Sequence, residues 1–303
     1  MNPLETETAI SALRSTGDFR VLRKFNLDQD TRFTGKSVEG AMIALSLDTE
    51  TTGFDYVEDK IIEMGIVAFE YDPDTASIIR VIGKYNGFED PGAPLSDEIK
   101  EITGITDEMV AGQTLNDNQI NNLAQMADLV IAHNAGFDRK LVEARFPAFV
   151  QLPWACTMSQ LDWKRERVSS RVLEFLLYKC TGVFFDAHRA LDDAEALVGL
   201  LLGNFPVNGL PIFKELLERA GEVTSKICAA GSPFDKKDIL KQRGYRWDGG
   251  EKSGCKSWWT CVPQEAEAEE MAYLASDIYP GGRSGSVIIK RIDPYSRFSV
   301  REI

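Results

Sequence analysis

The order of apolar segments in this 303-residue chain predicts an α/β protein. A mixed sheet flanked by helices is expected over residues 41–204, and a small α+β domain over residues 226–303. Three observations carry the prediction. The length suits roughly two domains at about 100–200 residues each. Between residues 41 and 204, three hairpin-linked apolar runs give way to strands alternating with helices, as in a mixed sheet. After residue 226 the order becomes β-α-β-β-α-β, a compact two-layer arrangement.

Each element has a local cause. Residues 1–40 read as a helix with Ile10 and Leu13 on one side, then apolar Phe19, Val21, Leu22 and Phe25, then a polar segment. This extension is too short for a core of its own and is expected to pack on the adjoining domain. Residues 41–47 form an apolar strand that leads into Asp48; strands at 61–71 and 78–85 are joined by the turn Asp72-Pro73-Asp74. Ser96-x-x-Ile99 opens a short helix that ends near Gly104. A helix at 116–126, a buried strand at 128–132 and a helix at 137–146, stopped by Pro147, come next. Helices around 171–180 and 189–202 close the domain, and 205–225 is a linker built on a helix from Pro211. The second domain reads as strand 226–230, helix 234–243, strands 245–248 and 256–262, helix 265–276 and strand 286–292. Ser232-Pro233 caps its first helix and Gly244 stops it.

Composition narrows the function. With 44% apolar and 27% charged residues, the chain is neither disordered nor collagen-like. No apolar run approaches the ~18–20 residues of a membrane span. The N-terminal segment lacks the basic start and apolar core of a signal peptide. The cysteines Cys156, Cys180, Cys228, Cys255 and Cys261 are odd in number, without a C-x-x-C pair, and the two histidines, His133 and His188, lie near no cysteine pair. A soluble, cytoplasmic protein with reduced thiols and no membrane partner is expected. The net charge of −13 argues at first against nucleic acid. The excess is confined, however: residues 41–204 carry 13 basic and 27 acidic side chains, whereas residues 205–303 carry 15 and 14. The concentrated acids are either a solvated surface or carboxylates gathered for cations.

Asp48 and Glu50 end the first strand of the domain and, two residues apart, share a face at the edge where ligands of open α/β sheets sit. Such a pair is either a solvated turn or a site for Mg²⁺ or Mn²⁺, which prefer oxygen ligands. Asp138 lies in the first turn of its helix, where it either serves the helix dipole or joins the pair. On the last helix, Asp193 lies on a stripe with Ala190, Ala194, Leu197 and Leu200, while Asp192 faces away with Glu195. An acid on an apolar stripe needs a partner, so Asp193 is the functional candidate and Asp192 the solvated one. His188 falls in the loop before that helix and is suited to take a proton from water; His133 is the competitor and reads as structural.

These residues resemble a family. Asp48-Thr49-Glu50-Thr51-Thr52-Gly53, His133-Asn134-x-x-Phe137-Asp138 and His188-x-Ala190-x-x-Asp193 look like the three motifs of the DEDDh 3′–5′ exonucleases. That family includes the proofreading subunit of bacterial DNA polymerase III, RNase T and oligoribonuclease; Gly104-Ile105-Thr106 matches a further family segment. The resemblance implies an RNase H-like fold over residues 41–204 and two divalent cations, Mg²⁺ or Mn²⁺. It makes Asp48, Glu50, Asp138 and Asp193 metal ligands and His188 the general base. It also implies release of nucleoside 5′-monophosphates from 3′ ends, single-stranded or frayed, in proofreading or DNA repair. Thr51 and Thr52 are expected to line the terminal-nucleotide pocket.

Two alternatives stay open: an exoribonuclease of the RNase T or oligoribonuclease type, and a non-catalytic nucleic-acid-binding module, against which the intact acid set speaks. The extra C-terminal domain favours DNA over RNA, and no recognisable tail identifies a polymerase or repair partner. The basic run Lys164, Arg165, Arg167 and Arg171 either tracks phosphates or is a solvated loop. In the C-terminal domain, Trp258 and Trp259 must point to opposite faces of one strand. At most one belongs wholly to a core, and the other is either covered or a stacking platform for single-stranded nucleic acid.

Overall fold

A strand covered on both faces organises the molecule. The computed structural model describes residues 2–250, 256–279 and 287–302. In chain order, helix α1 (Pro3–Ser15) and the two-residue strand β1 (Arg23–Lys24) precede β2 (Met42–Thr51), β3 (Ile61–Asp72) and β4 (Ser77–Phe88). Helices α2 (Asp97–Thr103), α3 (Asp107–Val110) and α4 (Asp117–Met126) lead to β5 (Leu129–Ala132), α5 (Ala135–Arg145) and β6 (Trp154–Cys156). Then come α6 (Leu173–Thr181), β7 (Val183–Phe184), α7 (Ala190–Leu201) and α8 (Ile212–Gly221).

The main sheet has the order β4-β3-β2-β5-β6, antiparallel through β4, β3 and β2 and parallel from β2 onward. It is the expected RNase H-like mixed sheet flanked by helices. Ala44, Leu45, Ser46 and Leu47 of the central strand are all fully buried, which explains a continuous apolar run in place of alternation. Side chains still alternate between two cores. Ala44, Val67 and Phe69 meet Leu197 and Leu200 of α7 on one face; Leu45, Leu47, Met64 and Ile66 meet Leu141 and Val142 of α5 on the other. Gly65 lets α7 settle on the sheet, because a Cβ there would lie 2.2 Å from the Ala190 backbone. Strand β6 follows Pro153 and is too short to show a period; the sequence reading has no strand there.

The N-terminal extension docks only in part. Leu27 is buried and the Phe25 ring sits against Gly199 of α7, while β1 pairs with β7. Helix α1 itself stays exposed, with Leu4 at 78%. Its apolar residues are too sparse to form a burying stripe.

The C-terminal domain runs β8 (Thr224–Ala230), α9 (Lys237–Gln242), β9 (Arg246–Asp248), β10 (Ser257–Pro263), α10 (Glu267–Tyr273) and β11 (Val287–Ile292). Its sheet, ordered β11-β8-β10-β9, is antiparallel throughout. Ser286, the expected start of the last strand, and Cys255 lie outside the described residues. Helical residues Leu240, Leu274 and Ile278 cover one face, over Ile227 and Ala229. The last described segment then returns to the first domain. The fully buried Arg139 guanidinium donates to the carbonyls of Pro294, Tyr295 and Arg297, Ser299 donates to Glu143, and Phe298 packs on the core beneath α5. Among the described residues no helix is long and apolar enough to cross a membrane.

Candidate active site

Strand β2 carries Asp48 and Glu50 to the sheet edge, where the first turn of α7 meets them. One carboxylate oxygen each from Asp48, Glu50 and Asp193 lie within 4.8 Å of one another. Asp138, 2% exposed in the first turn of α5, joins from the other side: Thr49 Oγ1, on the strand between the two acids, donates to Asp138 Oδ1 at 2.8 Å. The four candidate acids therefore converge from three elements. Asp193 is 9% exposed, while Asp192 points to solvent.

The start of α7 is held tightly. Asp193 Oδ2 accepts the backbone N–H groups of His188 (2.8 Å) and Arg189 (3.2 Å), closing the loop that carries His188. His188 has φ +71° and stands exposed at the loop apex. Below it, fully buried Glu63 accepts from Arg189 Nη2 (2.9 Å), Arg189 Nε (3.1 Å) and the Ala190 N–H (3.2 Å). Glu63 lies opposite Glu50 in the β2–β3 ladder, so this ion pair fixes the helix start against the strand that faces the acids.

The electrostatics report an uncompensated anion cluster. Burial, then the charges of Asp138, Asp193 and Glu50, holds the Asp48 carboxyl well above its ordinary range. Burial and Asp193 push Glu50 up to about 8, against the opposing pull of Arg189. Burial raises Asp138 to about 7, although the Thr49 hydroxyl opposes it, and raises Asp193 to about 7 against its two N–H donors. Crowded, desolvated carboxylates keep protons unless cations replace them. An all-carboxylate donor set of this spacing fits a hard divalent cation such as Mg²⁺ or Mn²⁺.

The other candidates separate. His133 is tied by Nδ1 to Thr157 Oγ1 (2.8 Å) and by Nε2 to the Arg171 carbonyl (2.7 Å), and burial lowers its pKa to about 4. The Thr51 hydroxyl donates to the Gly53 carbonyl and that of Thr52 to Asp59, so both shape the loop after β2. Arg165 pairs with Glu166 and Glu215, which compensates its charge, although like Lys164 and Arg167 it stays exposed. Arg171 lines a cleft between the domains, and so does Trp259. Trp258 turns instead into the C-terminal core and meets Trp247 at 5.7 Å between ring centroids.

Three contributors are not apparent from the sequence alone. Glu63 was signalled by an acid inside the apolar run Ile61-Ile62-Glu63-Met64, but its partner Arg189 is too distant in the chain to be read from it. The need for Gly65 had no local signal. Phe54, 79% exposed and 6.1 Å from the Phe137 ring, presents an apolar face between the first and second acid motifs.

The acids gathered at the sheet end, tied through Asp193 to the loop that carries His188, form a donor set suited to divalent cations. Residues 45–201, just over half of the chain, match the RNase T family of exonucleases, and the chain belongs to that family, the DEDDh-type 3′–5′ exonucleases. The chain is similar to the DNA polymerase III PolC-type of Thermotoga maritima, 28% identical over 191 residues, covering 58% of this chain and 12% of that protein. The corresponding protein of Halalkalibacterium halodurans is 32% identical over 160 residues, covering 51% of this chain and 11% of its own length. The chain thus spans only a small fraction of these curated relatives. The structure of exonuclease X in complex with 5′ overhanging duplex DNA aligns with 59% of this chain and 99% of its own, at 23% identity and a TM-score of 0.40.

Proposed function

We propose that this protein is a 3′–5′ exonuclease that uses two divalent cations, Mg²⁺ or Mn²⁺, to remove nucleotides from single-stranded or frayed DNA 3′ ends as nucleoside 5′-monophosphates. One observation carries the reading: Asp48, Glu50 and Asp193 converge within 4.8 Å, with Asp138 joined through Thr49, in a chain of the exonuclease family. Asp48, Glu50, Asp138 and Asp193 would hold the cations, which when bound would lower the pKa of water and offset negative charge in phosphodiester hydrolysis. His188, exposed in the loop before α7, is the side chain suited to accept the water's proton. The bond from its own N–H to Asp193 ties that loop to the acids. His133 is a poor competitor, since both ring nitrogens are engaged and its pKa is held to about 4. Phe54 and Phe137 offer apolar faces for the terminal base beside the acids. Similarity to DNA polymerases favours DNA over RNA.

The test is purified full-length protein on 5′-labelled and 3′-labelled single-stranded DNA, RNA and duplex, with Mg²⁺, Mn²⁺ or chelator. A 5′-labelled DNA strand should shorten in single steps from its 3′ end, and nothing should shorten in chelator. Full activity in chelator, or release from the 5′ end first, would overturn the proposal. Faster loss of RNA would exchange the substrate.

A further inference from the structure

We infer that the cleft between the exonuclease domain and the helix-free face of the C-terminal sheet is the track for the single strand behind its 3′ end. In it Trp259 stacks a base, and Lys226, Arg246 and Arg171 meet phosphates. The inference rests on the exonuclease reading for the direction of the strand.

The cleft encloses about 990 Å³. One wall belongs to the first domain: Asn134 and Gly136 at the start of α5, two residues from Asp138, with Arg171. The other wall is the open face of the C-terminal sheet. Strand alternation determines what that face displays. Ser225, Ile227 and Ala229 of β8 are buried, so Lys226 and Cys228 turn the other way. Trp259 pairs with Cys228 and with Arg246 across the ladder and joins them on that face. The Lys226 ammonium lies 4.7 Å from the centre of the Trp259 ring, and the Arg246 guanidinium 5.6 Å.

Two features point to a strand of nucleic acid. Other arginines of this domain are spent on carboxylates, Arg243 on Glu270 and Arg291 on Glu267, whereas no carboxylate among the described residues pairs with Lys226 or Arg246. Cations without a carboxylate partner, lying over the ring of a half-buried tryptophan, can exchange that contact for the two interactions a single strand offers, phosphate charge and base stacking, without regard to base identity. The second feature is position. The exonuclease segment is strongly acidic and repels phosphate, so attraction has to come from a neighbouring surface, and the cleft opens beside the helix that carries Asp138. The tail bound by Arg139 also lines the cleft through Phe298 and Ser299, and so links the two walls.

Because that tail packs on α5, cutting off the C-terminal domain would disturb both walls, and point variants of the full chain are the cleaner test. Binding of fluorescent oligo(dT) strands of increasing length, with an oligo(rU) series in parallel, is measured in chelator, where no strand is cut. The wild-type protein should bind more tightly as the strand lengthens. Trp259→Ala should flatten that dependence and weaken binding of the longest strand about 5- to 150-fold, and Trp259→Tyr should restore most of it. Lys226→Glu with Arg246→Glu should reduce the slope of log affinity against log salt by about 0.7 per lost phosphate contact. Unchanged length dependence and salt slope in all three variants would overturn the inference and leave this face to a protein partner. If the wild-type protein shows the Trp259-dependent profile but releases no nucleotide in Mg²⁺ or Mn²⁺, the cleft stands and the exonuclease reading fails.

Discussion

The acid cluster of the exonuclease domain and the open face of the C-terminal sheet use charge in opposite ways. On the exonuclease side, four carboxylates are crowded together at a sheet end, and burial raises their pKa values. On the C-terminal side, the Lys226 and Arg246 cations lie over the ring of the half-buried Trp259, and no acid of the described residues pairs with them. The first arrangement concentrates negative charge, which suits cations and disfavours a polyanion. The second attracts a polyanion. Chemistry and attraction are thus assigned to different surfaces of one chain, and variants of each should fail differently.

The largest effect should come from the acids. Asp48→Ala, Glu50→Ala, Asp138→Ala and Asp193→Ala should each lower kcat by on the order of a thousandfold or more, because the four act as a unit. In chelator each should bind a DNA strand at least as well as the wild-type protein, since negative charge has been removed. Asp192→Ala should stay within about twofold. Steady-state rates and equilibrium binding check both halves, and an inactive Asp192 variant beside an active Asp193 variant would reverse the assignment on α7. Next, His188→Ala should lose about 10²- to 10⁴-fold in kcat while calorimetry shows metal binding retained. Loss of metal affinity in that variant would make His188 a ligand rather than a base.

The same contrast explains what could be read from the sequence. Asp193 and Asp192 were separable because burial along a helix follows its period, and Ala190, Ala194 and Leu197 mark the covered side. Trp258 and Trp259 were separable in principle because a strand alternates, but not which of them faces the core, since register depends on β8 and β9. The mixed sheet and its helices are legible in apolar runs and caps such as Ser96 and Gly104. What escaped was long-range. The Glu63–Arg189 pair, the packing of Ala190 on Gly65 and the tail on Arg139 each join segments far apart in the chain, and a single sequence does not record who meets whom.

One of these hidden contacts gives the third prediction. Glu63→Gln keeps the shape but leaves Arg189 without its buried anionic partner. The change should destabilise the first domain by about 1–3 kcal/mol, because the Arg189 guanidinium left behind is 39% exposed. Because Ala190 and the His188 loop rest on this pair, kcat should fall as well, while strand binding in chelator should hold. Thermal unfolding and rate measurements on the same preparation check it. An unaltered midpoint would mean that Arg189 finds another partner or moves into water.

The smallest predicted effect separates a cation site from a merely acidic surface. The folded-state pKa values of Asp48, Glu50, Asp138 and Asp193 all lie above their unfolded values near 4, with Glu50 at about 8 and Asp138 and Asp193 at about 7. Between those limits the folded protein holds protons that the unfolded chain has released, so stability falls as pH rises. This contribution is complete below about pH 4 and is lost as pH passes through 7 to 8. In chelator the loss should amount to about 2–5 kcal/mol, or about 5–15 °C in midpoint. Mg²⁺ replaces those protons with positive charge, so the gain in Tm on adding it should be near zero at low pH and grow through the same window. Groups elsewhere in the molecule titrate equally in both series and cancel in the difference. Curves of Tm against pH that run parallel with and without Mg²⁺ would show that the acids hold no cation, and would remove the basis for the contrast between the two surfaces.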